Sequence, residues 1–140
     1  MAPKRHLKAI YLDDDAGQAH LLARHLAKLE SMDVDLSHYS RPEKALVKLL
    51  AREADLLFLD HHLGAGKTGL DVLKYLREAG FEGPIIMVTN REDVALVAEF
   101  LRHGADAYVP KGDLNQVSTA IQVALVTPHK KKPRILNDGS

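Results

Sequence analysis

Residues 58–73 read FLDHHLGAGKTGLDVL, and three parts follow one another in it. The apolar run Leu56, Leu57, Phe58, Leu59 ends on the single carboxylate of Asp60. A loop containing Gly64, Gly66 and Gly69 comes next. From Leu70 to about Ala79 the apolar residues take helical spacing, and Gly80 stops the pattern. A continuous apolar run of four residues suits a strand covered on both faces. The stretch therefore reads as one strand–loop–helix unit with an acidic residue at the strand's carboxyl end.

The same unit recurs in both directions along the chain. Further apolar runs lie at residues 9–12, 84–88 and 107–109, with a weaker one at 34–39. Between them the spacing is helical. A first helix is expected over about 17–29, with Leu21, Leu22, Leu26 and Leu29 on one side. A second follows Ser40-Arg41-Pro42-Glu43, where serine can cap and proline sits early, and carries Ala45, Leu46, Leu49 and Leu50. A fourth is expected over roughly 91–103 with Asn90 as a cap, and a fifth from Asp113 to about Val126. Five strands alternating with five helices make an α/β domain, a parallel sheet covered by helices on both faces.

Composition restricts the function. The chain has 140 residues, 46% hydrophobic, enough for one compact domain. Formal net charge is zero, so no whole-chain field points to nucleic acid or membrane. Lys130, Lys131, Lys132 and Arg134 against Asp138 make residues 128–140 a basic tail on an acidic body, residues 1–127. That tail is too short to be a DNA-binding domain. With no cysteine there is neither a disulfide framework nor a cysteine zinc site. No apolar run approaches spanning length, and residues 1–8 lack a signal-peptide core, so a cytoplasmic domain is expected.

In sheets of this kind ligands sit beyond the carboxyl ends of the strands. There the sequence places Asp13-Asp14-Asp15, Asp60, Thr89-Asn90 and Lys111. Carboxylates ~4 Å apart repel by roughly 4 kcal/mol per pair at an effective dielectric near 20. Such a cluster raises its own pKa values unless a cation intervenes. Few carboxylates with room for water suit Mg²⁺ better than an enclosing calcium cage. Asp15 is read as a cap of the first helix rather than as a metal ligand.

Taken together these residues resemble the receiver domain of two-component response regulators, from about Leu7 to Val126. The resemblance rests on Asp13-Asp14, on Asp60 after its apolar strand, and on Thr89 closing the fourth strand. It rests also on Tyr108 three residues before Lys111, and on Gly69-Leu70-Asp71-Val72-Leu73 opening the third helix. It implies a doubly wound, flavodoxin-like sheet of order 2-1-3-4-5. It further implies that Asp60 accepts a phosphoryl group from a phosphohistidine of a sensor histidine kinase or histidine phosphotransfer protein. Mg²⁺ would be held by Asp13, Asp14, Asp60 and the backbone carbonyl of His62, with Asp13 acting mainly through water. Lys111 would pair with a phosphoryl oxygen. Thr89 and Tyr108 would form the switch that carries the signal to a downstream protein target. A homodimer is compatible with this reading.

Other readings of the opening stretch fail on particular residues. A nucleotide-binding P-loop needs glycine where His61 stands, and Gly69 separates Lys67-Thr68 from the expected helix. Asp60-His61-His62 resembles the triplet of a metal phosphoesterase, but no second aspartate-rich histidine motif accompanies it. A phosphatase with an aspartate nucleophile carries a second aspartate where His62 stands. A receiver-like binding module without phosphorylation is opposed by the intact set Asp13, Asp14, Asp60, Thr89 and Lys111. The chain departs from the usual receiver in a loop after Asp60 longer by one residue, in Gly112 after Lys111, and in Asn90 after Thr89.

Overall fold

The computed structural model describes residues 4–64, 66–90 and 94–127. Within these, strands β1 (Arg5–Leu12), β2 (Met32–Tyr39), β3 (Leu56–Leu59), β4 (Ile85–Thr89) and β5 (Ala107–Pro110) form one sheet. They alternate with helices α1 (Ala16–Leu26), α2 (Pro42–Leu50), α3 (Gly69–Glu78), α4 (Val94–Arg102) and α5 (Val117–Val126). The strand order is β2-β1-β3-β4-β5 and every pairing is parallel. The doubly wound expectation holds in order and direction. Among the described residues no helix is long and apolar enough to cross a membrane.

The pattern of the central strands follows from their position. All residues of β3 and β4 are buried, because helices cover both faces and leave no polar side to alternate. One core layer gathers Tyr11, Phe58, Ile86, Val88 and Val109 against Leu22 of α1 and Ile121 of α5. The other packs Ile10, Leu57, Leu59 and Met87 against Leu49, Leu73, Leu76 and Phe100. Burying each such side chain stabilises the fold by roughly 1.5–3 kcal/mol before conformational entropy is counted.

The element ends show where local chemistry overrides hydrophobic spacing. β1 and β2 are longer than their apolar runs, since pairing extends from Arg5↔Met32 to Leu12↔Tyr39 through exposed Arg5, His6 and Lys8. α1 stops at Leu26 rather than near Leu29, because Lys28 and Leu29 donate to carbonyls three residues back and tighten the last turn. Asp15 caps it as expected, its carboxylate accepting from the Gly17 amide at 2.9 Å. Ser40 does not cap α2. The cap position is Arg41, which makes no side-chain cap bond, and Pro42 opens the helix. The fifth helix does not begin at Asp113. Residues Lys111–Gln116 form a 3₁₀ segment in which Asp113 takes non-helical angles (φ −143°, ψ 64°), and regular α-helix starts at Val117. The expected start of the fourth helix at 91–93 and the basic tail 128–140 lie outside the described residues.

Thr68 caps α3 by accepting from the Asp71 amide at 3.2 Å, and Gly69 is the first helical residue. Lys67-Thr68 therefore do lead directly into the helix, contrary to the sequence reading. Two amides of that helix end are nonetheless already taken, Gly69 by the His61 carbonyl at 2.7 Å and Asp71 by the Thr68 hydroxyl at 3.2 Å, which leaves little of a phosphate cradle.

Candidate functional site

Sheet register brings the acidic residues together. Leu12 pairs with Leu59, so Asp13 and Asp60 emerge side by side from adjacent strands. The Asp60 amide donates to the Leu12 carbonyl at 3.0 Å and fixes that alignment. Thr89 pairs with Pro110, which sets Lys111 just beyond it. Asp13, Asp60 and Thr89 are the buried polar residues of the described structure. Asp14 is exposed, yet one carboxylate oxygen from each of Asp13, Asp14 and Asp60 falls within a sphere where all separations are under 4.8 Å.

Gly69 is the residue that permits this crossing of loop and strand. A Cβ there would stand 2.1 Å from the Asp60 carbonyl oxygen, so α3 can approach Asp60 only without a side chain. The connecting loop then folds on itself. Lys67 donates from its backbone to the Gly64 carbonyl at 3.0 Å, and His62 bridges to Thr68. Gly64 has φ +73° and comes close to Asp14, where a Cβ would lie 3.3 Å from Oδ2. The Lys67 ammonium meets Glu43 at 3.1 Å and ties the loop to the start of α2.

The carboxylates differ sharply in how they are satisfied. Asp13 is 0% exposed and its carboxylate accepts from three donors. Its Oδ2 accepts from the Tyr11 hydroxyl at 2.5 Å and from Lys111 Nζ at 2.9 Å, and its Oδ1 accepts from the Asp15 amide at 2.9 Å. Its backbone carbonyl is 2.6 Å from His38 Nε2. Asp60 has Lys111 Nζ at 3.3 Å from Oδ2, while Oδ1 is buried with no partner among the described residues. Burial first, and then the charge of Asp13, push the Asp60 carboxyl up to about 6 against the pull of Lys111. Burial acts to lower Lys111, but the bond to Asp13 and the charges of both carboxylates hold the ammonium above its ordinary value. Burial, followed by the bond to Asp13, raises the Tyr11 hydroxyl far above its usual range, so it is a neutral donor.

A buried carboxylate oxygen without a partner is costly, and here it faces a pocket shared by two further carboxylates. The donor set is all oxygen, partly open through Asp14, and fits a hard divalent cation. Thr89 is 0% exposed and its hydroxyl also has no partner among the described residues, so it is available to an oxygen arriving at Asp60. Tyr108 is half-buried and packs with Leu96 against the core layer on the α3 and α4 face. His61 lies against the buried ring of Phe100 at 5.3 Å between centroids.

The sequence-predicted residues Asp13, Asp14, Asp60 and Lys111 thus share one pocket, with Thr89 at its strand end. Tyr108 stands one strand away, and His62 bridges to Thr68 within the loop, its ring 4.9 Å from that of His61. Tyr11 and His38 were not foreseen. An aromatic inside an apolar strand reads as core, and only the register shows that its hydroxyl reaches the acidic pair.

Comparison with known proteins agrees with this geometry. Regulatory protein LuxO of Vibrio cholerae is 31% identical over 100 residues, covering 71% of this chain and 21% of LuxO. Response regulator MprA of Mycobacterium avium is 31% identical over 105 residues, covering 75% of this chain and 44% of MprA. The chain therefore spans less than half the length of either relative. The response regulator domain of Thermotoga maritima CheB superposes with a TM-score of 0.72 at 21% identity, over 89% of this chain and 100% of that one, a likeness of fold. Residues 9–122 match the family described as the response regulator receiver domain, and the chain belongs to that family.

Proposed function

We propose that this chain is a two-component receiver that takes a phosphoryl group onto Asp60 from a phosphohistidine of a sensor histidine kinase or histidine phosphotransfer protein. The observation that carries the reading is the buried, unpartnered Oδ1 of Asp60 beside the Lys111 ammonium at the end of a central strand. An oxygen of Asp60 forms the new bond to phosphorus as the phosphorus–nitrogen bond to histidine breaks, and the imidazole leaves with that electron pair. Asp14, Asp60 and the His62 backbone carbonyl would hold Mg²⁺, with Asp13 contributing through water. Bound there, the metal supplies neutralisation of the charge gathered between phosphoryl and carboxylate oxygens.

The chain's own residues supply the rest. Lys111 already sits between Asp13 and Asp60, so its ammonium can follow the phosphoryl oxygens with little movement. Thr89 gains a partner for its buried hydroxyl when a phosphoryl oxygen arrives. Tyr108 lies on the strand next to Thr89 and carries the change to the face of α4, β5 and α5, where a downstream protein target docks. In this reading residues 1–127 form the receiver and 128–140 a basic tail, working in the cytoplasm without membrane contact. Incubation with a small phosphodonor and Mg²⁺ tests the reading by intact mass. Gain of one phosphoryl group by the parent, absent in Asp60→Asn, supports it. Equal gain in both proteins overturns it.

A further inference from the structure

Core packing accounts for the Tyr11 ring, but neither it nor the phosphoryl chemistry accounts for the Tyr11 hydroxyl. Its ring is 1% exposed and lies inside the core, yet its hydroxyl is spent on Asp13 Oδ2. A carboxylate oxygen offers two lone pairs, and those of Asp13 Oδ2 are filled by Tyr11 and Lys111. Oδ1 holds the Asp15 amide. Asp13 is thereby left with one open lone pair, whereas Asp60 Oδ1 meets no hydrogen-bond partner among the described residues. A cation that used Asp13 Oδ2 would have to strand a buried tyrosine hydroxyl, which carries the full cost of an unmade hydrogen bond.

We infer that Tyr11 is a selectivity-determining positioning residue, whose hydroxyl withholds Asp13 Oδ2 from the bound cation and so disfavours Ca²⁺ relative to Mg²⁺. The inference rests on the pocket of Asp13, Asp14 and Asp60 being the cation site. Mg²⁺ keeps several waters and needs only one or two carboxylates, so the closed oxygen costs it little. Ca²⁺ takes six to eight oxygen ligands and loses one here. The neighbours hold the arrangement in place. His38 sits beside Tyr11 in register, with ring centroids 6.2 Å apart, and grips the Asp13 backbone carbonyl. That contact fixes the Asp13 backbone, while the Asp15 amide on Oδ1 and Lys111 on Oδ2 hold its carboxylate against the Tyr11 hydroxyl.

Tyr11→Phe keeps the buried ring and removes the donor. Calorimetric titration of both proteins with Mg²⁺ alone and with Ca²⁺ alone reads the effect directly. The expected result is a gain of about tenfold in Ca²⁺ affinity with a gain of about threefold or less for Mg²⁺, the scale of one stranded hydroxyl relieved. A purely structural role would move both affinities together, so an unchanged Ca²⁺/Mg²⁺ ratio, or weaker binding of both, overturns the inference. Binding of neither cation to the parent overturns the cation site itself, a distinct failure. A measurement on the parent guards against misfolding of the variant. The Tyr11 hydroxyl proton, held by a short buried bond, should persist in the NMR spectrum at saturating Mg²⁺, and its disappearance would show that the oxygen is not withheld.

Discussion

Asp60→Asn should make the metal-free protein more stable above neutral pH and leave it unchanged near pH 4. The carboxyl of Asp60 rises from an ordinary 3.8 to about 6 on folding, because burial and then the Asp13 charge disfavour its anion. The folded state therefore binds the proton more tightly than the unfolded chain. That stabilisation is fully present below about pH 4 and is lost as pH rises through about 6. At 1.36 kcal/mol per pKa unit the loss is roughly 3 kcal/mol by pH 8. Asparagine keeps the shape of the side chain and never ionises, so the variant escapes the loss. Urea unfolding of both proteins in chelator, from pH 4 to pH 8, measures the difference while titrations remote from the site cancel. The gap should open between pH 4 and pH 7 and reach about 2–3 kcal/mol. Mg²⁺ at a hundredfold excess over its dissociation constant should then restore about 2.7 kcal/mol to the parent and much less to the variant. A stability difference independent of pH, or a less stable variant at pH 8, would show that Asp60 is not held under electrostatic strain.

Three further substitutions probe the scaffold around the site. Gly69→Ala places a Cβ against the Asp60 carbonyl and should cost roughly 3 kcal/mol in denaturant melts, with amide shifts at Asp60 and His61. Arg77→Ala removes a half-buried guanidinium that donates to the carbonyls of Phe81, Gly83 and Gly104 and pairs with the buried Asp106 carboxylate at 3.2 Å, and should cost about 3 kcal/mol in the same assay. Arg52 follows α2 at φ +61°, an angle disfavoured for L-residues, so Arg52→Gly should gain about 0.5–1 kcal/mol without touching the site.

What the sequence revealed depended on how far each signal reaches along the chain. The runs at 56–59 and 84–88 announced buried strands because both faces are covered, and β3 and β4 occupy those positions within one residue. Asp13, Asp14, Asp60 and Lys111 were legible because charges at strand ends have little structural reason to gather. The long β1–β2 pairing was hidden, since Arg5, His6 and Lys8 pair through backbone that leaves no apolar trace. The 3₁₀ segment before α5 was hidden as well, because helical spacing does not distinguish it from a first α-turn. The roles of Tyr11 and His38 needed three-dimensional register, as their partner Asp13 is recognisable in sequence only as an acid.

The central claim is that Asp60 accepts the phosphoryl group. Borohydride reduces an aspartyl phosphate to homoserine and so marks the acceptor permanently. After incubation with a small phosphodonor and Mg²⁺, reduction and peptide mass spectrometry should find homoserine at position 60 and nowhere else. Homoserine at position 13 or 14, or none at all in protein that has gained phosphate, would contradict the account.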